Sequence, residues 1–155
     1  MLAAAAVLFV LAQAAAPPGA AVTILTPDQL SGALRAVQGR QPGIEVAELV
    51  KQPGYSVLQI RRTAAGACEV HADWADVWYV QRGSATLLTG GTVVEGVTAE
   101  PGEIRGKGVA GGEQRELRGG EVVVIPAGVP HWISKVDTEF VYVAVKAPTN
   151  RVGTK

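Results

Sequence analysis

The chain holds only two histidines, and each stands in a strand-like run with carboxylates close by. His131 sits at the end of GEVVVIPAGVPHW, where a β-branched run meets a Pro-x-Gly turn just before the ring. His71 lies upstream in ACEVHADWADVWYVQRG, near Glu69, Asp73 and Asp76. Imidazole nitrogens and carboxylate oxygens are donors that suit divalent first-row metals. Two imidazoles on separate strands, with acids beside them, are therefore a way to hold a metal ion inside a β-barrel.

Such a site needs strands to position it, and the chain supplies them. Strand-like runs cover Ile44 to Val50, Tyr55 to Arg61, Ala75 to Gln81, Ser84 to Leu88, Glu121 to Ile125 and Phe140 to Val145, with Gly or Pro in nearly every gap. Many short strands with turn punctuation and no helix between them predict an all-β barrel or sandwich, best a jelly roll. One helix precedes them. In TPDQLSGALRAVQGR, Thr26 is the N-cap, Pro27 takes the first helical position and Gln29 completes a capping box. Leu30, Leu34 and Val37 recur at helical spacing up to Gly39, so this short amphipathic helix is expected to cover one side of a sheet.

At 155 residues the chain has room for one domain, since a core of roughly 100 to 150 residues already buries most of its apolar surface. Fourteen basic and fourteen acidic residues cancel, and no Lys/Arg cluster offers the electrostatic footprint of nucleic-acid binding. The opening MLAAAAVLFVLAQAAA is an uncharged apolar run followed by small residues, the pattern of a secretory signal. A cut after Ala14 is expected, leaving residues 15–25 as a linker, 26–155 as the folded domain and the protein in the periplasm or outside the cell. A retained anchor or a buried helix are the alternatives, but a span needs nearly 20 apolar residues, so no stable membrane insertion is expected after cleavage. The lone Cys68 forms no intrachain disulfide and is expected to pack as a small apolar residue. Gly106-x-Gly108-x-x-Gly111 spells a dinucleotide fingerprint, yet no apolar helix follows it, so the segment from Gly90 to Gly120 reads as strands and long loops.

Residues 66–135 resemble the cupin superfamily. The family's second motif has Gly, five residues, Pro, one residue, Gly, two residues, His, three residues, Asn; Gly120, Pro126, Gly128 and His131 match at every interval, with Lys135 in place of the Asn. Aligning its first motif on Gly83 puts Asp76 where the family has Glu, His71 where it has the second His and Glu69 where it has the first. The resemblance implies a jelly-roll barrel and a metal shell of Glu69, His71, Asp76 and His131, holding Fe, Mn, Zn or Ni. Residues 69 and 71 leave a strand by the same face, as two ligands of one ion must. His71, His131 and Asp76 would form a two-His, one-carboxylate set with open positions, leaving Glu69 as a fourth ligand or a catalytic general base. Asp76 is one methylene shorter than the family's Glu, and Asp73 is expected in a turn.

Trp78, Tyr79, Trp132 and Tyr142 are expected to serve packing, with Trp132 pointing away from the pocket that His131 faces. Arg61 and Arg62 alternate faces, so one of them points inward, where it could bind a substrate carboxylate, or sits at an edge in a surface ion pair. A polar cluster in an otherwise apolar barrel mouth is a small-molecule site by default. The leading expectation is an exported cupin binding a divalent metal and a small organic ligand, as a dioxygenase or isomerase. The alternative is a non-catalytic binding or sensing protein without metal, taking a small organic acid or sugar. A third role, through homodimer formation at exposed strand edges, is also open.

Overall fold

A computed structural model describes residues 21–149; the signal read at 1–14 and the first part of the 15–25 linker lie outside the described residues. Helix α1 (Pro27–Val37) comes first. The strands then follow as β1 (Ile44–Gln52), β2 (Tyr55–Arg62), β3 (Cys68–His71), β4 (Trp74–Thr89), β5 (Thr92–Val94) and β6 (Val97–Glu100). After them come β7 (Glu103–Gly106), β8 (Gly108–Ala110), β9 (Glu113–Arg118), β10 (Val122–Ile125) and β11 (His131–Pro148).

The two long strands organise the rest. β4 and β11 pair antiparallel from Thr89 opposite His131 to Trp74 opposite Pro148. On the far side of β11, β2 pairs its second half and β3 meets its first residue, while β1 flanks β2. β7 and β6 extend the sheet beyond β3, and β9 and β10 pair successive parts of β4. The sheet curls on itself into an all-β barrel of jelly-roll type, as the strand pattern predicts. The stretch from Gly90 to Gly120 contributes five short strands; of the glycine fingerprint, Gly106 and Gly108 lie on strands and Gly111 in the bend after β8, with no helix following it.

Ala75 to Gln81 and Ser84 to Leu88, expected as two strands, are one continuous β4 with an irregularity between them. Asp76, Trp78 and Val80 are buried in its first half, Ala85 and Leu87 in its second, so the inward parity changes from even to odd. Side chains alternate strictly along a regular strand, and only an extra residue in one partner can reset which face points in. Gln81 is that residue, skipped between Val80 opposite Tyr142 and Arg82 opposite Val141, and Gly83 follows it opposite Phe140 with φ 82°. A Cβ there would run into the Glu139 carbonyl. β11 shows the complementary switch: His131 and Ile133 are buried, then Phe140, Tyr142 and Ala144, with register shifts between Ile133 and Phe140.

These inward rows make the main core, with Ile60, Trp78, Val80, Leu87, Leu117, Ile125, Phe140 and Tyr142 among its members. Outside the barrel, Leu34 of α1 packs with Ala47 of β1 and Val141 of β11. The helix is fixed by the expected capping box: the Thr26 N–H donates to Gln29 Oε1 at 2.8 Å and the Gln29 N–H donates to Thr26 Oγ1 at 3.3 Å. It thus covers the outer face of the sheet, as its apolar stripe predicts. Among the described residues no helix is long and apolar enough to cross a membrane.

Gly83→Ala should destabilise the barrel by about 2 kcal/mol or more, because a left-handed φ and a backbone clash coincide. Gly120→Ala, at φ 94° but with open space around its Cβ, should lose only about 1 kcal/mol. Equilibrium urea denaturation of the two variants measures the difference.

Candidate metal centre

Three strands bring the acids and imidazoles together. β3 carries Glu69 and His71 on its inner face, and its register sets Glu69 opposite His131 at the start of β11. The turn after Pro126 delivers His131: the Val129 N–H closes on the Pro126 carbonyl at 3.3 Å, and the Gly128 N–H donates to the His71 carbonyl at 2.7 Å. That last bond ties the two histidine-bearing segments directly. Asp76 enters from β4, next to Trp78, whose Nε1–H donates to Asp76 Oδ2 at 3.2 Å.

The side chains converge inside the barrel. His71, Asp76 and His131 are each only 3% exposed, and the two imidazole centroids lie 5.1 Å apart. Glu69 Oε2 is 3.5 Å from His71 Nε2 and 3.9 Å from His131 Nε2. Asp76 Oδ2 lies 3.6 and 3.9 Å from the same two nitrogens, so the shorter acid reaches as far in as Glu69 does. Donors bound to one ion at about 2.1 Å are separated by roughly 3.0 to 3.4 Å at octahedral or tetrahedral angles. Ligand atoms of Glu69, His71 and His131 all fall within 4.8 Å of one another, so the side chains would have to draw inward to close on an ion.

Hydrogen bonds on the outer nitrogens settle which ring atoms face the cluster. His131 Nδ1–H donates to the Val129 carbonyl at 3.0 Å, leaving a lone pair on Nε2. That Nε2 is buried and has no hydrogen-bond partner among the described residues. Leaving a buried polar atom unpaired costs on the order of 1 to 3 kcal/mol, and an acceptor aimed at two carboxylates can be satisfied only by a donor or a cation. His71 Nδ1–H donates to Glu103 Oε2 at 2.5 Å, the carboxylate-to-imidazole support that orients metal-binding histidines. The edge of Trp78 packs against His131, with centroids 5.8 Å apart in a T-shaped contact.

In a comparison of folds, a conserved protein of uncharacterised function with a double-stranded β-helix domain from Klebsiella pneumoniae aligns over 84% of this chain and 93% of its own, with TM-score 0.56 and 18% identity. KdgF from a Halomonas species aligns over 73% of this chain and 87% of its own, with TM-score 0.53 and 17% identity. The cupin domain of Schizosaccharomyces pombe Cnp3 aligns over 70% and 67%, with TM-score 0.52 and 12% identity. The chain has the cupin fold. No protein-family model matches the sequence, and no curated protein matches it; at these identities the likeness is one of architecture.

On the cupin barrel the four expected residues Glu69, His71, Asp76 and His131 come together, and Asp73 stays apart in the bend before β4, where its carbonyl accepts from the Thr149 N–H at 2.9 Å. Lys135, in the motif's Asn position, pairs with Asp137 at 2.8 Å on the surface. Arg62 is the inward arginine: its Nε donates to the Tyr142 hydroxyl at 3.1 Å and it approaches Glu69 at 4.0 Å. Arg61 pairs instead with Glu45 and Glu139. Trp132 turns away from the pocket and donates Nε1–H to the Gly66 carbonyl at 2.7 Å.

Three residues that sequence reasoning passed over complete the cluster. β7 pairs with β3 so that Glu103 lies opposite His71 and Arg105 opposite Glu69, and Arg105 reaches Glu69 at 3.6 Å. Lys146 lies opposite Asp76 on β11 and reaches Asp76 Oδ1 at 2.9 Å and His71 Nε2 at 2.7 Å. Its signal was the alternation Phe140, Tyr142, Ala144, which carried two residues further points Lys146 inward. Glu103 and Arg105 had no comparable mark, since their pairing with β3 is not local.

The cluster shifts its own titrations. Burial opposes ionisation of Glu69, but His71, Arg105, His131 and Arg62 outweigh it and hold the carboxyl at about 2. Burial also opposes charge on His71, yet Glu69, Asp76 and Glu103 prevail over burial and Lys146 and raise its pKa. For His131 burial wins, aided by repulsion from His71, and its pKa falls. His131 is therefore the ring that keeps its Nε2 lone pair free.

A carboxyl whose pKa in the folded protein lies below its ordinary value stabilises the fold fully above that ordinary value and stops doing so as pH falls through the folded one. The window for Glu69 runs from about 4.5 down to about 2. The stability difference between wild type and Glu69→Gln should shrink across it in urea titrations at stepped pH. A difference that is flat through this range would mean that Glu69 draws no support from its cationic neighbours.

Proposed function

We propose that this chain is a cupin that binds a divalent metal ion and a small anionic organic ligand inside its barrel, as an enzyme of dioxygenase or isomerase type. The observation that carries the reading is the buried Nε2 of His131, without a hydrogen-bond partner among the described residues and directed at two carboxylates and a second imidazole. His71, His131 and Asp76 would hold the ion as a two-His, one-carboxylate set, with Glu69 as a fourth ligand or as the base. A bound ion supplies Lewis-acid polarisation of a ligand oxygen.

The chain's own residues do the rest. Glu69, kept ionised by its neighbours, can accept a proton from a ligand at Oε2, and its partly exposed side chain sits where a ligand could reach it. A cavity of about 200 Å³ adjoins the cluster, lined by Leu58, Ile60, Arg62, Glu69, Trp78 and Lys146 among others. A larger open concavity of about 660 Å³ along β10 contains none of the cluster. Charge sets the ligand class. Glu69, Asp76 and Glu103 face Arg62, Arg105 and Lys146, so acids and bases balance, and a divalent ion would add an excess of two positive charges. Inside a barrel such an excess favours an anion, and Arg62 or Arg105 can receive its carboxylate. The apolar walls limit the ligand to a small acid.

One feature favours the metal-free alternative. Lys146 already neutralises Asp76 and occupies His71, so the site is balanced as a plain binding pocket. Elemental analysis separates the two: protein refolded in turn with Mn, Fe, Ni and Zn should retain about one equivalent of at least one of them, as a single two-His, one-carboxylate site requires. His131→Ala should retain none while keeping its β-rich circular dichroism, since the core rests on other residues. Wild type without stoichiometric metal would leave the binding or sensing reading in its place.

Export belongs to the same proposal and rests on the apolar run at 1–14. Protein recovered from the periplasm or medium of a bacterial host should begin at Ala15 by N-terminal sequencing.

A further inference from the structure

Lys146 stands where a cation of this cluster belongs. It extends inward from β11 as the last member of the row Phe140, Tyr142, Ala144, and its Nζ contacts His71 Nε2 at 2.7 Å and Asp76 Oδ1 at 2.9 Å. An ammonium has three N–H donors and no acceptor, so the 2.7 Å contact belongs to His71 in its neutral form, in which the inward Nε2 carries the lone pair. A neutral imidazole has one such pair, because its other nitrogen carries the proton given to Glu103. That pair can go to an N–H or to a metal ion, but not to both.

We propose that Lys146 is the resident cation of the centre and an internal competitor of the metal, fixing how tightly and which ions bind; this rests on the reading of Glu69, His71, Asp76 and His131 as a metal site. The physical reason for keeping a lysine there is Asp76. Its side chain is 4% exposed and meets the Lys146 ammonium, and a buried carboxylate left without a cation costs several kcal/mol. The lysine lets the barrel fold before any metal arrives, whereas a site of bare acids would depend on the ion for its stability.

Displacement has somewhere to go. A groove beside His71 is lined by Ala99, Glu100, Glu103, Arg105 and Lys146 itself, so the freed ammonium can turn toward the carboxylates of Glu100 and Glu103 while remaining partly in water. Selectivity follows from the competition. Zn and Ni bind imidazole strongly enough to take His71 from an N–H donor, while Mg and Ca, which prefer oxygen, do not. After displacement the ammonium lies at the rim of the ligand cavity, next to Arg105, where it adds to the attraction for an anion.

Isothermal titration with Zn²⁺ and Mn²⁺ alone, on wild type, Lys146→Met and Lys146→Gln, tests this. Both variants are expected to bind one ion on the order of tenfold or more tightly than wild type, since no internal cation has to leave. Lys146→Gln retains N–H donors toward Asp76 and guards against a Met variant that fails to fold. A second measurement uses wild type unchanged: acetylation by acetic anhydride, followed at the Lys146 peptide by mass spectrometry, should run faster with saturating Zn²⁺ than without it. Equal or weaker affinity in the folded variants, or unchanged acetylation in wild type that binds Zn²⁺, overturns the role of Lys146 and leaves the metal centre standing. Absence of binding in wild type and variants alike overturns both.

Discussion

Carboxylates enclosed by a barrel must be neutralised where they stand, and that requirement shapes the polar end of this molecule. Glu69 and Asp76 lie in an interior where an unpaired charge would cost several kcal/mol. Each is answered by a cation from the strand paired beside it: Arg105 opposite Glu69 on β7 and Lys146 opposite Asp76 on β11. Arg62 adds a third from β2, fixed by the Tyr142 hydroxyl. Because the partners come from cross-strand positions, the register that builds the sheet also balances the site. A slip of one residue would turn these charges to the wrong face.

The same barrel has to present apolar rows elsewhere, and it does so with two long strands that each change parity once. In β4 the change falls at Gln81, between Val80 and Arg82, and in β11 it falls before Phe140. Without it, the row that buries Asp76 and Trp78 would leave Ala85 and Leu87 outside. A single antiparallel pair of strands therefore supplies both the polar cluster, through Asp76, His131 and Lys146, and much of the apolar core, through Trp78, Leu87, Phe140 and Tyr142. Helix α1 contributes to the outer wall alone and takes no part in the chemistry.

Much of this was legible in the chain. The interval from Gly120 through Pro126 and Gly128 to His131 fixes a turn and delivers one imidazole, and the two-residue step from Glu69 to His71 places an acid and a ring on one face. The capping box at Thr26 and Gln29 announces the helix. What the sequence hid was pairing at a distance. Glu103 and Arg105 lie in a Gly-rich stretch with no clear period, and only the register of β7 against β3 makes them neighbours of the site. Lys146 was half visible, since the alternation on β11 points it inward, but nothing local says that it meets His71. The joining of two expected strands into β4 was likewise hidden, because Gly83 looks like a turn yet stays paired opposite Phe140 just after a bulge at Gln81.

One contact gives the barrel a voice of its own. The indole of Trp78 meets His131 edge to face and also hydrogen-bonds Asp76, so it touches both a ring and an acid of the cluster. Indole emission responds to charge and to heavy neighbours within a few ångströms, and Trp78 is buried away from solvent quenchers. Whatever occupies the centre will therefore alter the protein's intrinsic fluorescence, and occupancy can be followed in real time without attaching a dye.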